Sequence, residues 1–228
     1  MYWFMEDYRT LLLMVLSIVI TLIAQGFVSS AYNKYKRVKS KRGLSGLEVA
    51  RKILDKNGLS NIYVVETKGM LSDHYDPKRK VIRLSSDIFH KETIASIAVA
   101  AHEVGHAIQD KEGYSFMKIR SAIFPIVNFG SILGYIAIFI GFFFGYIDLA
   151  WIGIILLLGM LLFQLVTLPV ELNASKRAQK ELEGIVDTNE LNMAKNMLFA
   201  AAMTYVAALA TTLIQILRLV LMVSSRRD

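Results

Sequence analysis

Four stretches of this chain, Leu11 to Val28, Ala122 to Tyr146, Leu149 to Leu168 and Ala194 to Val223, are long and apolar enough to cross the hydrocarbon core of a bilayer. With no water in that core to satisfy peptide groups, runs of this length must fold as helices. The whole chain agrees: 54% of its 228 residues are hydrophobic, and its mean hydropathy is +0.44. The sequence is therefore expected to be an integral membrane protein, mainly α, with four transmembrane helices. Glu6 and Asp7, rather than a basic region, precede the first run, which argues for a span and against a cleaved signal peptide. Gly145 to Asp148 supplies a tight turn between the second and third runs.

Charge orients these spans. Lys34, Lys36, Arg37, Lys39, Lys41 and Arg42 follow the first run directly, and Lys176, Arg177 and Lys180 follow the third, which assigns both polar segments to the cytoplasmic face of the cell membrane. Arg226 and Arg227 fit less well: either that pair sits on the outer face, or the last run, interrupted by Arg218, does not fully cross. The net charge of +7 flanks membrane segments and shows no aromatic-basic face for bases, so anionic lipid headgroups are expected as partners and nucleic acid is not. The absence of cysteine excludes thiol catalysis, disulfides and thiolate metal sites. Gly130, Gly134, Gly141 and Gly145 line the second span, where small residues serve close packing within the chain or self-association as a homo-oligomer, the former being favoured.

The expected organisation is a first transmembrane helix over 1–30, a cytosolic α+β segment over 31–120, a transmembrane hairpin over 121–170, a cytosolic helix over 171–193 and a fourth transmembrane helix over 194–228. Within 31–120, Ser45 and Glu48 form a capping box that opens a helix through Lys56, with Leu47, Val49, Ala50, Ile53 and Leu54 on its buried side and Asn57-Gly58 as its stop. Ile62 to Val65 and Val81 to Leu84 read as strands, joined by a stretch with Asp76-Pro77 turn chemistry. A helix capped by Thr93 then carries Ala95 to Ile108.

That helix holds the chemistry. Residues 102 to 106 read His-Glu-Val-Gly-His, and an i, i+4 spacing sets both imidazoles on one helix face, where they can share one metal ion. Glu103 stands about 100° around the helix, placed to take a proton from an attacking water and deliver it to a departing amine. Polar side chains in such apolar company cost several kcal/mol, on the order of 2–7, unless a metal or a hydrogen-bond network satisfies them. A catalytic zinc needs a third protein donor. Glu171 is the choice, in Leu168-Pro-Val-Glu-Leu-Asn-Ala-Ser-Lys-Arg-Ala178, where Ala174 and Ala178 form a small-residue face and Pro169 is read as a kink that starts the helix. A charge stabilised by a helix N-terminus is the competing reading of Glu171. His74 and His90 are the other candidate donors, with His74 also a candidate to steady a reaction intermediate.

Leu71 to Ser85, Ala100 to Gln109 and Leu168 to Ser175 together resemble the YugP-like membrane zinc metallopeptidases, the bacterial neutral zinc metallopeptidase family, over nearly the whole chain. A more distant likeness is to the HtpX-type membrane gluzincins. The resemblance implies a small cytosolic gluzincin-like zinc peptidase module, with one Zn2+ per chain held by His102, His106 and Glu171 and with Glu103 as catalytic base. It also implies a metalloendopeptidase that hydrolyses membrane or membrane-proximal proteins through a zinc-activated water. In gluzincins an edge strand before the histidine helix binds substrate as an added strand, which makes residues 80 to 84 either a substrate platform or a structural hairpin.

The HtpX pattern carries an aspartate four residues after its glutamate ligand to orient a histidine, and this chain has Ser175 there. Ser175 or Asn173 is then left to accept a ring N–H. Arg177 and Tyr205 are candidates for a group opposite the oxyanion, although Arg177 also reads as a membrane-boundary charge. The alternative to a peptidase is a zinc-binding membrane scaffold or a proteolytically inactive homologue. An intramembrane protease ranks lower, because residues 93 to 109 are too short and polar to span.

Overall fold

The computed structural model describes residues 2–69 and 71–225, so Arg226 and Arg227 lie outside the described residues. The described residues form seven helices and three strands: α1 (Tyr2–Tyr35), α2 (Gly46–Lys56), β1 (Tyr63–Thr67), β2 (His74–Asp76), β3 (Val81–Ser85), α3 (Ser86–His90), α4 (Ile94–Lys111), α5 (Ser115–Phe144), α6 (Ile147–Leu182) and α7 (Thr188–Ser224). It is a mainly helical protein with a small sheet, and α1, α5, α6 and α7 are each long and apolar enough to cross a membrane. The four helices outrun the apolar stretches that announce them. Two compact units divide the residues: the first takes 1–25, 118–168 and 204–228, the second 26–117 and 169–203.

The first unit is a bundle of apolar helices with a core of Ile138, Ala150, Ile154, Leu157, Ile216, Leu219 and Val223. Its α5–α6 hairpin turns at Gly145, whose φ of +77 suits a residue without a Cβ. Small residues let the two helices touch. A Cβ on Gly153 would stand 2.6 Å from the Gly134 carbonyl oxygen, and one on Gly141 would stand 2.7 Å from the Ala150 nitrogen. Two of the three glycines of α5, Gly134 and Gly141, thus serve contact inside the chain, while Gly130 faces open space.

The second unit is built around α4. Its two short amphipathic layers, α2 with α3 on one part and the sheet on another, bury Val49, Ile53, Leu54, Ile82, Leu84, Ile88, Ile94 and Ile97 in one core. The α2 capping box forms as the sequence requires, with Glu48 N–H donating to Ser45 Oγ and Ser45 N–H donating to Glu48. Gly46 rather than Leu47 joins the buried side of α2, and a Cβ there would stand 2.1 Å from the Ile88 carbonyl oxygen. A second capping box, between Asp187 and Glu190, opens α7. Glu190 also accepts the Lys41 backbone N–H at 2.6 Å, so the chain that leaves α1 is tied to the start of α7.

In the sheet the strand order is β1-β3-β2, with β1 parallel and β2 antiparallel to β3. One reading changes here. Residues 80 to 84 do not form an edge: β3 is the central strand, paired on both sides, and its last N–H, at Ser85, donates to the Asp73 carboxylate at 2.7 Å. A substrate strand therefore finds no unpaired backbone on β3. The Asp76-Pro77 turn belongs to the β2–β3 hairpin, where Asp76 accepts from the Lys78 and Arg79 amides.

Likewise Pro169 does not start a helix. α6 runs unbroken through it, because proline removes one donor while the residues on either side are held by packing, Ile154 and Leu157 in the first unit and Val170, Ala174 and Ala178 in the second. Glu171 consequently sits deep within a 36-residue helix, far from any N-terminal dipole charge.

The contact at Gly46 gives a direct check on this packing. Gly46→Ala should destabilise the protein by about 1–3 kcal/mol through overpacking against a backbone carbonyl, seen as a lower thermal midpoint of the purified protein. An unchanged midpoint would show that α2 is free to move away from α3.

Candidate metal centre

The amide of Thr93 does not start α4 unaided: the Thr93 side chain accepts from Ser96 N–H, which fixes the register of the helix that follows. From that start, His102 and His106 project from one face with ring centroids 4.8 Å apart and planes at 83°. α6 crosses against this face at very short range. A Cβ on Gly105 would stand 2.5 Å from the Ala174 carbonyl oxygen, and Ala174 and Ala178 are fully buried. Only glycine on one helix and alanine on the other permit so close a crossing.

The crossing delivers Glu171. Its carboxylate oxygen lies 3.2 Å from His102 Nε2 and 3.5 Å from His106 Nε2, and one donor atom from each of the three residues falls within 4.8 Å of the others. Donors bound at roughly 2.0–2.1 Å to a tetrahedral ion stand about 3.3 Å apart, so the spacing suits zinc. Glu171 is 2% exposed.

The outer nitrogens of both rings are also engaged. His102 Nδ1 lies 3.2 Å from Ser175 Oγ, and His106 Nδ1 lies 3.0 Å from Gln109 Oε1. Gln109 is fully buried, and its amide nitrogen donates to the Val170 carbonyl at 2.8 Å and to Asn173 Oδ1 at 2.9 Å. Those two donations fix which end of the amide faces the ring, so His106 Nδ1 must carry the hydrogen. His106 Nε2 then directs its lone pair at a carboxylate, which is tolerable only with a proton or a metal cation between them. Burial by itself favours the neutral imidazole of His106, but the Glu171 carboxylate, with Glu103 nearby, outweighs it and holds the pKa above the usual histidine value.

Glu103 is 7% exposed and, among the described residues, carries no hydrogen bond or ion pair. Its oxygens are not among the buried polar atoms that lack a partner, so the carboxylate stays open to a water or a ligand while its charge acts on His106. Asn173 and Arg177 stand behind the cluster, and the two other candidate histidines stand apart from it. Asn173 and Arg177 bond each other at 2.7 Å, and Arg177 pairs with Glu112 at 2.7 Å, so the guanidinium is committed to holding α6 against the end of α4. His74 is exposed on β2, with Nδ1 at 2.8 Å from the Ser72 carbonyl, and His90 is exposed beside Glu66 on the far part of the unit, so neither joins the cluster. Tyr205 belongs to the first unit. Gln109 is the residue that sequence reasoning passed over, although its i+3 spacing from His106 on the same face is the signal that marks it.

Comparison with known proteins agrees with this geometry. Residues 10–224 match the family described as "Putative neutral zinc metallopeptidase". The chain is 44% identical over 207 residues to "Putative membrane protease YugP" of Bacillus subtilis (strain 168), covering 90% of this chain and 92% of that protein. No solved structure matches.

The raised His106 pKa carries a sign that can be tested in protein stripped of metal. A folded-state pKa above the unfolded value means that the His106–Glu171 contribution is fully present below pH 6.5 and is lost as pH rises through the folded value. The thermal midpoint of metal-free protein should fall as pH is raised from 6.5, and His106→Gln should flatten that decline. A midpoint that rises over this range in both proteins would contradict the assignment.

Proposed function

Because this chain belongs to the neutral zinc metallopeptidase family, we propose that it is a membrane-bound zinc endopeptidase in which His102, His106 and Glu171 hold the ion and Glu103 is the catalytic base. The observation that carries this reading is the convergence of two Nε2 atoms and a carboxylate oxygen, with the Glu103 carboxylate near enough to act on His106. Three protein donors leave one coordination position for water, the arrangement of catalytic rather than structural zinc.

A bound zinc ion supplies a Lewis acid that polarises the scissile carbonyl and makes water nucleophilic near neutral pH. The chain's own groups do the rest. Glu103 receives the proton of the attacking water and returns it to the departing amine, and its burial keeps that carboxylate from being held by bulk water. Gln109 fixes the His106 ring from behind, and Ser175 Oγ meets the outer nitrogen of His102.

Substrate binding is assigned to β2 instead of β3. β2 is an edge strand, and its Tyr75 hydroxyl donates to Asp110 on α4 at 2.7 Å, which ties this edge to the helix of the two histidines. Since basic residues crowd 31–120 and 176–180, the active site is assigned to the cytoplasmic face, with membrane or membrane-proximal polypeptides as substrates.

The test compares zinc-loaded wild type with Glu103→Gln on an unfolded protein substrate at equal metal content. Wild type should cleave, Glu103→Gln should lose about 10²–10⁴-fold in rate while keeping its zinc, and chelation should silence the wild type until zinc is restored. Zinc bound by both without cleavage by either would favour the scaffold over the peptidase.

A further inference from the structure

Behind His106 lies a hydrogen-bonded chain that closes on itself across two helices. From α4, Gln109 accepts from His106 Nδ1 and donates to Val170 and Asn173 on α6. Asn173 Oδ1 accepts a second hydrogen bond from Arg177 Nε, and Arg177 returns to α4 through its ion pair with Glu112. Every used polar atom in the chain is matched donor to acceptor, and Gln109 at its centre is fully buried.

We infer that Gln109 is a positioning residue that sets the metal affinity of this centre by holding His106 in the tautomer that presents Nε2, with Asn173 and Arg177 fixing the orientation of its amide. The inference rests on the zinc reading above. Its physical basis is asymmetry. The side-chain amide has one accepting end and one donating end, and two acceptors on α6, the Val170 carbonyl and Asn173 Oδ1, claim the donating end. The accepting end is left for His106, which must then donate from Nδ1. His102 has only the hydroxyl of Ser175 behind it, and a hydroxyl rotates to donate or accept, so it does not dictate a tautomer. The two ligands are therefore held unequally, His106 rigidly through α6 and His102 loosely.

The same network makes the centre sensitive to the α4–α6 crossing. Glu171, Val170, Asn173 and Arg177 all lie on α6, so the helix that contributes a donor also fixes the amide that orients a histidine. A shift of α6 along α4 would disturb both at once. Arg177 accordingly acts as part of this frame and is unavailable for an oxyanion.

The experiment measures zinc affinity of the full-length, detergent-solubilised protein by competition with a chromophoric chelator, and records the visible spectrum of the cobalt(II) form. Gln109→Met keeps the volume and removes every hydrogen bond. It should weaken zinc binding by about 10–100-fold and alter the cobalt spectrum, and it should also lower the thermal midpoint of the metal-free protein because His106 Nδ1–H loses its buried acceptor. Unaltered affinity and spectrum would overturn the inference.

If Gln109→Met does not fold, the pair Asn173→Asp and Asn173→Leu decides. The aspartate keeps the oxygen that accepts from Gln109 and Arg177 and should hold zinc within about threefold of wild type, whereas the leucine should lose about tenfold. Equal affinities for the two would overturn the inference. Wild type that binds zinc but cleaves nothing would sink the peptidase reading alone, and Gln109 would still be judged by affinity. Wild type that holds no zinc would overturn both.

Discussion

The closeness of α4 to α6 is what the rest of the second unit depends on. His102 and His106 are fixed relative to each other by helix geometry, but a third donor 65 residues or more away must be brought in by packing. The approach is set where Gly105 meets the Ala174 backbone, and a single methyl group on Gly105 would fall inside van der Waals contact with a carbonyl that cannot yield. The residue that stands between the two histidines is thus as constrained as the histidines themselves, for steric rather than chemical reasons.

Polar groups at that crossing are held in pairs. Gln109, Asn173, Arg177 and Glu112 satisfy one another, and Ser175 takes the outer nitrogen of His102. Glu103 differs: among the described residues no hydrogen bond or ion pair holds its carboxylate. Satisfied networks rigidify a site. The sheet has a matching division of labour. Central β3 is buried and fully paired, whereas short β2 keeps a free edge and is fastened to α4 through Tyr75 and Lys80 on Asp110.

Much of this was legible along the chain. The capping box at Ser45 and Glu48, the Thr93 cap, the turn at Gly145 and the four apolar helices all arise from interactions within a few residues, so their signals are local. The likeness to the HtpX pattern named Ser175 or Asn173 as a partner for a ring nitrogen, and only the structure shows that Ser175 meets His102. The three residues of β2 are too few to show a period, and without β2 the central strand β3 reads as an edge. Pro169 reads as a helix start because its local effect is to break helices, and packing on both sides overrides it.

By itself, then, the sequence determined the chemical inventory and the local geometry: two imidazoles on one helix face, a carboxylate beside them, no thiols, and apolar helices that only a bilayer accommodates. The tertiary structure alone decided which distant groups meet. It brought Glu171 to the two Nε2 atoms, gave the His106 ring to Gln109, and committed Arg177 to Asn173 and Glu112. The physical reason is range. Helical periodicity fixes neighbours three and four residues apart, whereas the contact between α4 and α6 depends on how two surfaces of small residues fit, a property of neither segment alone.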